Sequence, residues 1–451
     1  MRLGVIFIIL VVSCIFFAAG CEPPQPPAES AVEEPAASGA EKPQAPEVEE
    51  PEPQVVELTE EQKAAVARVE ELRGTVERDE ANRVVGVDMF EIMVSDADIE
   101  ILTALTDLEK LTLWGADITD AGVEKLQKLP NLVELTIENT GVTDDGLAHL
   151  KPLAKLKSLN LRRSSLVTDA ALEHIKELPN LQYLHFLYNN FTNDGLKHLK
   201  DMEQVKLIDL RGCMGVGDEG LEHLTGLKNL RSLKLRSPAV TDNGLKTLAG
   251  FTELTGLALE DTVISNEGLK HLEDLDLQDL NIFRCYSITD EGLESFKGFK
   301  NLKQLSVRDT PISGSGLVHI KDAQQLRKLD LSETGVDDAA LQHIEGLNCL
   351  AWLNLWHTSV TDAGLASLAK LPGLKWLSLE SISITDAGIE LLAKSKSIET
   401  LILKENGITD AGVEHLMKMT TLKNLDISLT QISSDAIERL QTALPDCKIT
   451  E

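Results

Sequence analysis

Histidines are the residues of this 451-residue chain best suited to acid–base or metal chemistry, and eight of the ten recur at one spacing. These eight are His149, His174, His198, His223, His271, His319, His343 and His415. A metal site needs several ligands that converge within about 2 Å of one ion, together with an outer shell of supporting groups. A histidine at a fixed position of a repeated unit more simply serves that unit. The sequence therefore predicts no metal site, and a weak ladder from His149 to His223 is the alternative.

Thr-Asp pairs form a second column of chemically capable residues. Aligned on the aspartate, the column comprises Asp96, Asp120, Asp144, Asp169, Asn193, Asp218, Asp242, Asn266, Asp290, Gly314, Asp338, Asp362, Asp386, Asp410 and Ser434. A calcium ion needs six to eight oxygens around one point, whereas successive units offer one carboxylate each. Helix capping explains the pair better, because threonine is a preferred N-cap and an acidic first turn complements the helix dipole.

Four cysteines are spread along the same repeats, at Cys213, Cys285, Cys349 and Cys447. Stacked strands lie about 4.8 Å apart, so cysteines three or four turns apart exceed the Cα separation of about 7 Å that a disulfide allows. The sequence predicts no disulfide among them and inert thiols at Cys213 and Cys285. Phosphate-binding loops, nucleophile elbows and zinc-hydrolase motifs are absent from the sequence. We therefore predict a protein that is not an enzyme and needs no cofactor.

These columns exist because the chain repeats itself from about residue 84 onward. Every step between aligned aspartate positions is 24 residues, except two of 25, which gives about fifteen turns. In each turn, Leu-x-x-Leu-x-Leu alternates like a short strand with its apolar side inward, and Gly-Leu-x-x-Leu packs a short helix onto it. Between them lies a tight corner with small hydrogen-bonding residues. One turn cannot bury both of its faces, so its stability comes from stacking on its neighbours.

The repeated frame resembles the leucine-rich-repeat superfamily over about residues 84–445. Its form at Ile118–Val123 and Ile408–Val413, Ile-Thr-Asp-x-Gly-Val, is similar to the cysteine-containing subclass. Eukaryotic F-box proteins carry that subclass as substrate-binding arcs, but the chain has no F-box-like helical segment; bacterial envelope proteins carry similar arrays. The resemblance implies an α/β horseshoe solenoid with a parallel concave sheet, short convex helices and partner binding on the concave strands.

The first twenty residues are predicted to export the chain. Arg2 precedes an apolar run over residues 3–17, about the length of a signal-peptide core. The small residues before Cys21 resemble the lipobox of bacterial lipoproteins and predict lipidation of Cys21. A competing match at Val11–Cys14 would leave an apolar stretch in the mature protein. A plainly cleaved signal or a retained anchor helix would also suit this segment. The predicted location is the bacterial cell envelope, membrane-anchored and facing the periplasm or the exterior.

The rest of the chain divides by composition. Residues 1–20 are the signal segment, and residues 21–57, rich in Pro, Glu and Ala, predict a disordered tether. A capping box at Thr59–Gln62 opens a helix, and residues 58–90 are predicted to form an N-terminal cap of one helix and a hairpin. Residues 91–442 are the repeat array, and residues 443–451 the C-terminal cap.

Charge and composition limit the partners. The chain is 43% hydrophobic but only 4% aromatic, so its core must be aliphatic. The net charge of −30 argues against nucleic-acid binding, which needs a basic patch, and against electrostatic binding to an anionic membrane. The predicted partners are a protein or peptide and, through the lipid anchor, the membrane. The array is predicted to be monomeric.

All four tryptophans fall at outward-pointing strand positions: Trp114, Trp352, Trp356 and Trp376. Trp352 and Trp376 hold equivalent positions in adjacent turns, so they should lie about 5 Å apart, with Trp356 further along the same strand. Exposed aromatic patches mark interaction sites. We therefore predict a binding face, and the alternative is that these side chains pack against one another and cover the sheet.

Basic and aromatic residues form a second candidate group on the same face. It comprises Arg162, Arg211 and Arg236, which share one repeat column with Arg308, and Tyr183 and His185. This stripe predicts attraction of an acidic partner, with charge compensation by neighbouring carboxylates as the alternative. The predicted function is recognition of a protein or peptide on the concave face by a membrane-tethered protein. Glycan binding and a purely structural role are less favoured, and an enzyme is the least favoured.

Overall fold

The computed structural model describes residues 55–451, which lie within one compact unit, Pro53–Glu451. The predicted signal segment, most of the predicted tether and Cys21 lie outside the described residues. No helix within residues 55–451 has the length and apolar character needed to span a membrane. The domain boundaries inferred from the sequence remain predictions.

The described chain begins with a helix and a hairpin. Helix α1 spans Glu60–Glu71, and both hydrogen bonds of the predicted capping box between Thr59 and Gln62 are present. Strand β1, Thr75–Arg78, pairs antiparallel with β2, Val84–Met93. Strand β2 starts the parallel sheet by pairing with the first repeat strand.

One 17-stranded sheet runs through the described residues, and every pairing after the hairpin is parallel. The remaining strands are β3 Lys110–Trp114, β4 Glu134–Glu138, β5 Ser158–Asn160, β6 Tyr183–His185, β7 Leu207–Arg211, β8 Ser232–Arg236, β9 Gly256–Glu260, β10 Asp279–Asn281, β11 Gln304–Ser306, β12 Lys328–Asp330, β13 Trp352–Asn354, β14 Trp376–Ser378, β15 Thr400–Ile402, β16 Asn424–Asp426 and β17 Lys448–Thr450. Because β17 pairs with β16, the predicted C-terminal cap contributes a strand of its own.

Short helices pack against one side of this sheet. They are α2 Asp96–Leu102, α3 Asp120–Lys125, α4 Asp144–Ala148, α5 Ala171–Ile175, α6 Asn193–Leu196, α7 Asp218–His223, α8 Asp242–Leu248, α9 Asn266–Leu269, α10 Asp338–Leu341, α11 Leu365–Leu368, α12 Asp386–Leu392, α13 Asp410–Leu416 and α14 Ser434–Ala443. Tighter 3-10 segments cover Leu126–Lys128, Lys197–Leu199, Leu224–Gly226, Lys270–Leu272, Gly292–Gly298, Ser315–Ile320, Gln342–Ile344 and Asp362–Gly364. Two turns therefore carry only 3-10 structure, which gains more length per residue than an α-helix.

A single core runs from Ala65 to Cys447 and is largely aliphatic, with a few buried phenylalanines such as Phe186 and Phe191. The frame leucines, such as Leu353 and Leu377, are completely buried and lie opposite one another in adjacent strands. Burial of this kind contributes roughly 25 cal/mol per Å² of apolar surface, and here most of that surface is covered by neighbouring turns. The predicted stacking of one continuous core is confirmed.

The tight corners bury polar side chains that satisfy backbone carbonyls. The Thr334 hydroxyl donates to the Leu331 carbonyl at 2.6 Å, and the Cys285 thiol donates to the Leu259 carbonyl at 2.8 Å. Burial raises the pKa of the Cys213 and Cys285 thiols to about 11, so neither is a ready nucleophile at neutral pH. This agrees with the prediction of inert thiols at the corner.

The aspartate column joins most turns to the next, a role that the sequence interpretation missed. The two carboxylate oxygens of Asp120 accept hydrogen bonds from the Thr143 backbone N–H at 2.8 Å and from the Thr143 hydroxyl at 2.7 Å. The same pair of bonds recurs between Asp386 and Thr409. Threonine also caps its own helix, as predicted, for example at Thr409. Capping therefore explains the threonine, while the aspartate links neighbouring turns.

Candidate functional site

The side of the sheet that faces away from the helices presents outward-pointing strand residues, which we call the exposed sheet face. In β13, Leu353 points into the core, whereas Trp352 and Asn354 are partly exposed. Equivalent positions of successive strands are paired in register, so each position forms a column along the sheet. The chemistry of this face is set by which side chains adjoin one another in these columns.

Trp352 and Trp376 form the most distinctive contact on this face. They are directly paired between β13 and β14, and their rings stack with centroids 4.4 Å apart and planes 9° from parallel. The ammonium group of Lys328, one strand earlier, lies 4.6 Å from the Trp352 ring centroid. The predicted proximity of the two indoles is confirmed. Each also covers part of the other, and both remain partly exposed.

Trp356 lies beyond the end of β13 and has different partners from this stack. Its backbone N–H donates to the Asn354 side chain at 3.1 Å. The Arg308 guanidinium, two turns earlier, lies 5.2 Å from the Trp356 ring centroid and is ion-paired with Glu333 at 2.8 Å. Between Arg308 and Trp356, Ser332 is completely buried. The predicted trio is thus a stacked pair and a third indole in contact with an arginine.

Trp114 belongs to a separate apolar patch at the other end of the sheet. It is the last residue of β3 and is paired with Met93 of β2 on one side and Glu138 of β4 on the other. Met93 is 55% exposed and Phe90 is 40% exposed. These two residues were not among the candidates predicted from the sequence.

The predicted basic stripe is charge-compensated. Arg162 is ion-paired with Glu138 at 3.4 Å, Arg211 with Asp209 and Glu260 at 2.8 and 3.3 Å, and Arg236 with Asp261 at 2.5 Å. Burial raises the pKa of Glu138 and of Glu260, while the neighbouring arginines act in the opposite direction. The arrangement favours a compensated face over a free basic stripe.

Tyr183 and His185, the other two residues of the predicted basic and aromatic group, both lie on β6. Tyr183 is 37% exposed, while His185 is in register with Asp209 and less exposed. Burial lowers the pKa of His185, and the Asp209 carboxylate offsets only part of that shift. His185 is therefore neutral at neutral pH and offers one ring nitrogen as donor and one as acceptor.

A cleft of about 820 Å³ opens beyond the ends of β13, β14 and β15. Its lining comprises Trp356, His357, Thr358, Ser359, Glu380, Ser381, Ile382, Ser383, Lys404 and Glu405. Lys404 is ion-paired with Glu380 at 2.6 Å, and the Ser381 hydroxyl donates to Glu405 at 2.6 Å. Of these residues, only Trp356 was predicted from the sequence. The others follow the strands at corner positions, and their residue types do not predict the conformation of the corner.

The histidine column lies on the helical side, away from these features. His149 contacts Gln127 at 3.2 Å, and His198 lies 3.5 Å from Glu173. Within residues 55–451, no three His, Cys, Asp or Glu side chains are arranged to hold a metal ion.

Comparison with known proteins agrees with this architecture. A family profile described as "Leucine Rich repeat" matches residues 394–417. A leucine-rich-repeat protein of Leptospira interrogans superposes with a TM-score of 0.50 and 19% identity, over 81% of this chain and 96% of its own. The fold is a leucine-rich-repeat solenoid. The predicted α/β fold class, with a parallel sheet and short helices, is therefore confirmed.

Two further structures align with this chain. The Toll-like receptor TLR13, in complex with ssRNA13, superposes with a TM-score of 0.50 and 18% identity over 84% of this chain and 67% of its own. An internalin from Listeria monocytogenes aligns over 86% of this chain and 93% of its own, with 19% identity and a TM-score of 0.41. No curated protein matches the sequence. At these identities the likeness concerns the leucine-rich-repeat fold alone.

Proposed function

We propose that this leucine-rich-repeat solenoid is a non-catalytic binding protein whose exposed sheet face recognises a protein or peptide. The stack of Trp352 and Trp376 carries the proposal. Two partly exposed indoles lie side by side at these outward positions in a chain with only four tryptophans. Tryptophan is enriched among interface residues whose removal costs about 2 kcal/mol or more.

Charge favours a protein or peptide over a nucleic acid. TLR13 was determined with ssRNA13, so that solenoid accepts a polyanion. The present chain has a net charge of −30, and Arg162, Arg211 and Arg236 are each ion-paired with a carboxylate. A polyanion would have to displace these carboxylates, which a neutral or basic partner need not do.

A glycan is the second candidate ligand, and the same stack favours it. Flat indole surfaces such as those of Trp352 and Trp376 also suit the apolar faces of sugar rings. A glycan array probed with the full chain separates the two classes. Array signal that disappears when either tryptophan is replaced by alanine would favour the glycan.

The experiment that tests the proposed function is crosslinking in intact cells followed by capture of the chain. We expect Trp352→Ala/Trp376→Ala to reduce the captured partner at least about tenfold, as loss of two hot-spot side chains implies. Leu166→Ala is the matched control, because Leu166 is 53% exposed but lies outside the strands. Undiminished capture by the double variant would exclude the stack as the binding surface.

We also propose that the chain is exported and anchored through Cys21, with residues 21–57 as a tether to the envelope membrane. The lipobox-like residues before Cys21 support this, and the Thr-Asp-x-Gly frame supports assignment to the cysteine-containing subclass. Metabolic labelling with an alkyne fatty acid tests the anchor. We expect Cys21→Ala to abolish the label and Cys14→Ala to retain it; the reverse pattern would place the anchor at Cys14.

A further inference from the structure

We propose that the cleft beyond β13, β14 and β15 receives a basic side chain, arginine or lysine, from the partner. This inference rests on the proposed function and names the chemistry of one contact. The cleft volume of about 820 Å³ is within the range of small-molecule pockets and exceeds what a single long side chain needs. Its lining combines an indole, two carboxylates and several hydroxyls.

Trp356 already binds one cation of the chain. The Arg308 guanidinium lies 5.2 Å from its ring centroid, and Glu333 holds that guanidinium at 2.8 Å. Arg308 and Glu333 are not part of the cleft lining, whereas Trp356 is. The indole therefore also borders the cleft, and a second cation that lies over its face there is attracted by the ring quadrupole.

The carboxylates of the cleft outnumber its ammonium groups. Glu380 is neutralised by Lys404 at 2.6 Å. Glu405 is exposed and accepts a hydrogen bond from Ser381, and no ion pair to it is found among residues 55–451. One carboxylate is thus left to pair with an incoming cation, in a chain of net charge −30 that attracts basic partners at long range.

An acidic or neutral occupant fits the cleft less well. An acidic side chain would approach Glu380 and Glu405, and the one ammonium group, on Lys404, is already engaged. A neutral polar group could reach the hydroxyls of Ser359 and Ser383 but would gain nothing from Glu405. Trp356 and Glu405 both line the cleft and together offer a guanidinium the two contacts it favours, an aromatic face and a carboxylate.

Fluorine NMR of the full chain labelled with 5-fluorotryptophan tests the inference. The four tryptophans give four resonances, each assigned by a single Trp→Phe substitution. The probes are capped pentapeptides Gly-Gly-X-Gly-Gly in which X is arginine, citrulline or glutamate. We expect the arginine peptide to shift the Trp356 resonance and the citrulline and glutamate peptides to leave it in place.

Two variants make the test specific. Glu405→Gln keeps an acceptor for Ser381 but removes the charge, and we expect it to weaken binding of the arginine peptide about five- to tenfold. Glu390→Gln, which alters an exposed glutamate on α12 in the preceding turn, should leave the affinity unchanged. Unchanged dispersion of the four resonances checks that each variant is folded.

Equal shifts with arginine and citrulline peptides, or an unaltered affinity in Glu405→Gln, would overturn the inference. Its failure is distinguishable from failure of the proposed function. Loss of the captured partner in the Trp352→Ala/Trp376→Ala variant, without any response of Trp356 to the arginine peptide, would retain the binding face and reject the basic side chain in the cleft.

Discussion

Gly314 stands where most turns have an aspartate, and Ala340 stands where the following turn usually has a glycine. The order of the larger and the smaller residue is therefore exchanged at this joint. In the usual arrangement, a Cβ added to Gly244 would lie 2.6 Å from a carboxylate oxygen of Asp218 in the preceding turn. At the exchanged joint the glycine comes first, and a Cβ at Gly314 would collide with the Cβ of Ala340. In most turns the aspartate therefore packs closely against the glycine of the next turn, whereas Ala171 and Ala436 take the glycine's place after Asp144 and Asp410.

The exchange also changes the hydrogen bonding of this joint. Asp337 stands where the other turns have threonine or serine, apart from Gly217, and its carboxylate caps its own helix by accepting from the Ala340 N–H at 3.1 Å. The carboxylate of an aspartate at position 314 would face the Asp337 carboxylate and be repelled by it. Gly314 also has φ +105°, a left-handed conformation that residues with a Cβ rarely adopt.

We expect Gly314→Asp to lower the free energy of unfolding by about 2–4 kcal/mol, because it adds backbone strain, a clash with Ala340 and repulsion from Asp337. The triple variant Gly314→Asp/Asp337→Thr/Ala340→Gly restores the usual joint and should recover most of that loss. Urea denaturation followed by circular dichroism measures both. A triple variant no more stable than the single one would show that the exchange is not the source of the effect.

Replacement of an aspartate in the linking column should cost stability in proportion to the bonds lost. Asp386→Ala removes both bonds to Thr409, and we expect a loss of about 1–3 kcal/mol. Asp386→Asn should cost less, because Asn266 accepts from the Thr289 N–H at 3.0 Å and donates to its hydroxyl at 2.8 Å.

Urea denaturation of the two Asp386 variants measures these losses. The control is Asp145→Ala, which alters an exposed first-turn aspartate. Equal losses for alanine and asparagine at position 386 would contradict the link.

The contact between α1 and α2 should depend on pH. Burial raises the pKa of Asp98, but hydrogen bonds from Ser95 and Arg68, the latter at 2.8 Å, outweigh it, so the pKa lies below its usual range. A carboxyl with a depressed folded-state pKa stabilises the fold above its unfolded-state pKa, about 3.9, and this contribution is lost as the pH falls through the lower folded value.

We expect Asp98→Asn to lower the free energy of unfolding by about 1–2 kcal/mol at pH 7. The difference from the parent chain should shrink as the pH falls below about 3.9. Urea titrations over this range check the prediction, and Asp145→Ala is again the control. A difference that persists unchanged at low pH would show that charge on Asp98 is not its origin.

The sequence is sufficient for the fold because every turn repeats the same apolar frame. Side-chain neighbours could be inferred only for residues at the same repeat position in adjacent turns, such as Trp352 and Trp376. In-register pairing of the strands places such residues side by side. The partners of Arg211 could not be inferred. Its guanidinium reaches Glu260, two turns away, although Arg236 lies between them in register, and that choice depends on side-chain rotamers.

The backbone conformation of the corners could not be predicted from the sequence either. His357, Ser381 and Glu405 have φ of 54°, 53° and 61°, a left-handed conformation that usually indicates glycine. Here the position is occupied by residues of almost every type, because the corner hydrogen bonds and the stacked neighbours impose the conformation. The cleft that these three residues line could therefore not be predicted from a residue pattern.

The stack itself has a spectroscopic consequence. Two indoles with centroids 4.4 Å apart and nearly parallel planes are close enough for their electronic transitions to couple, which we expect to produce a paired positive and negative band in the far-ultraviolet circular dichroism. Because coupling needs both rings, Trp352→Phe and Trp376→Phe should each abolish the pair of bands completely. Trp114→Phe, which alters an indole in another patch, should leave the pair in place. A signal reduced by half in each single variant would instead indicate two independent tryptophans, and the contact on which the binding face depends would not persist in solution.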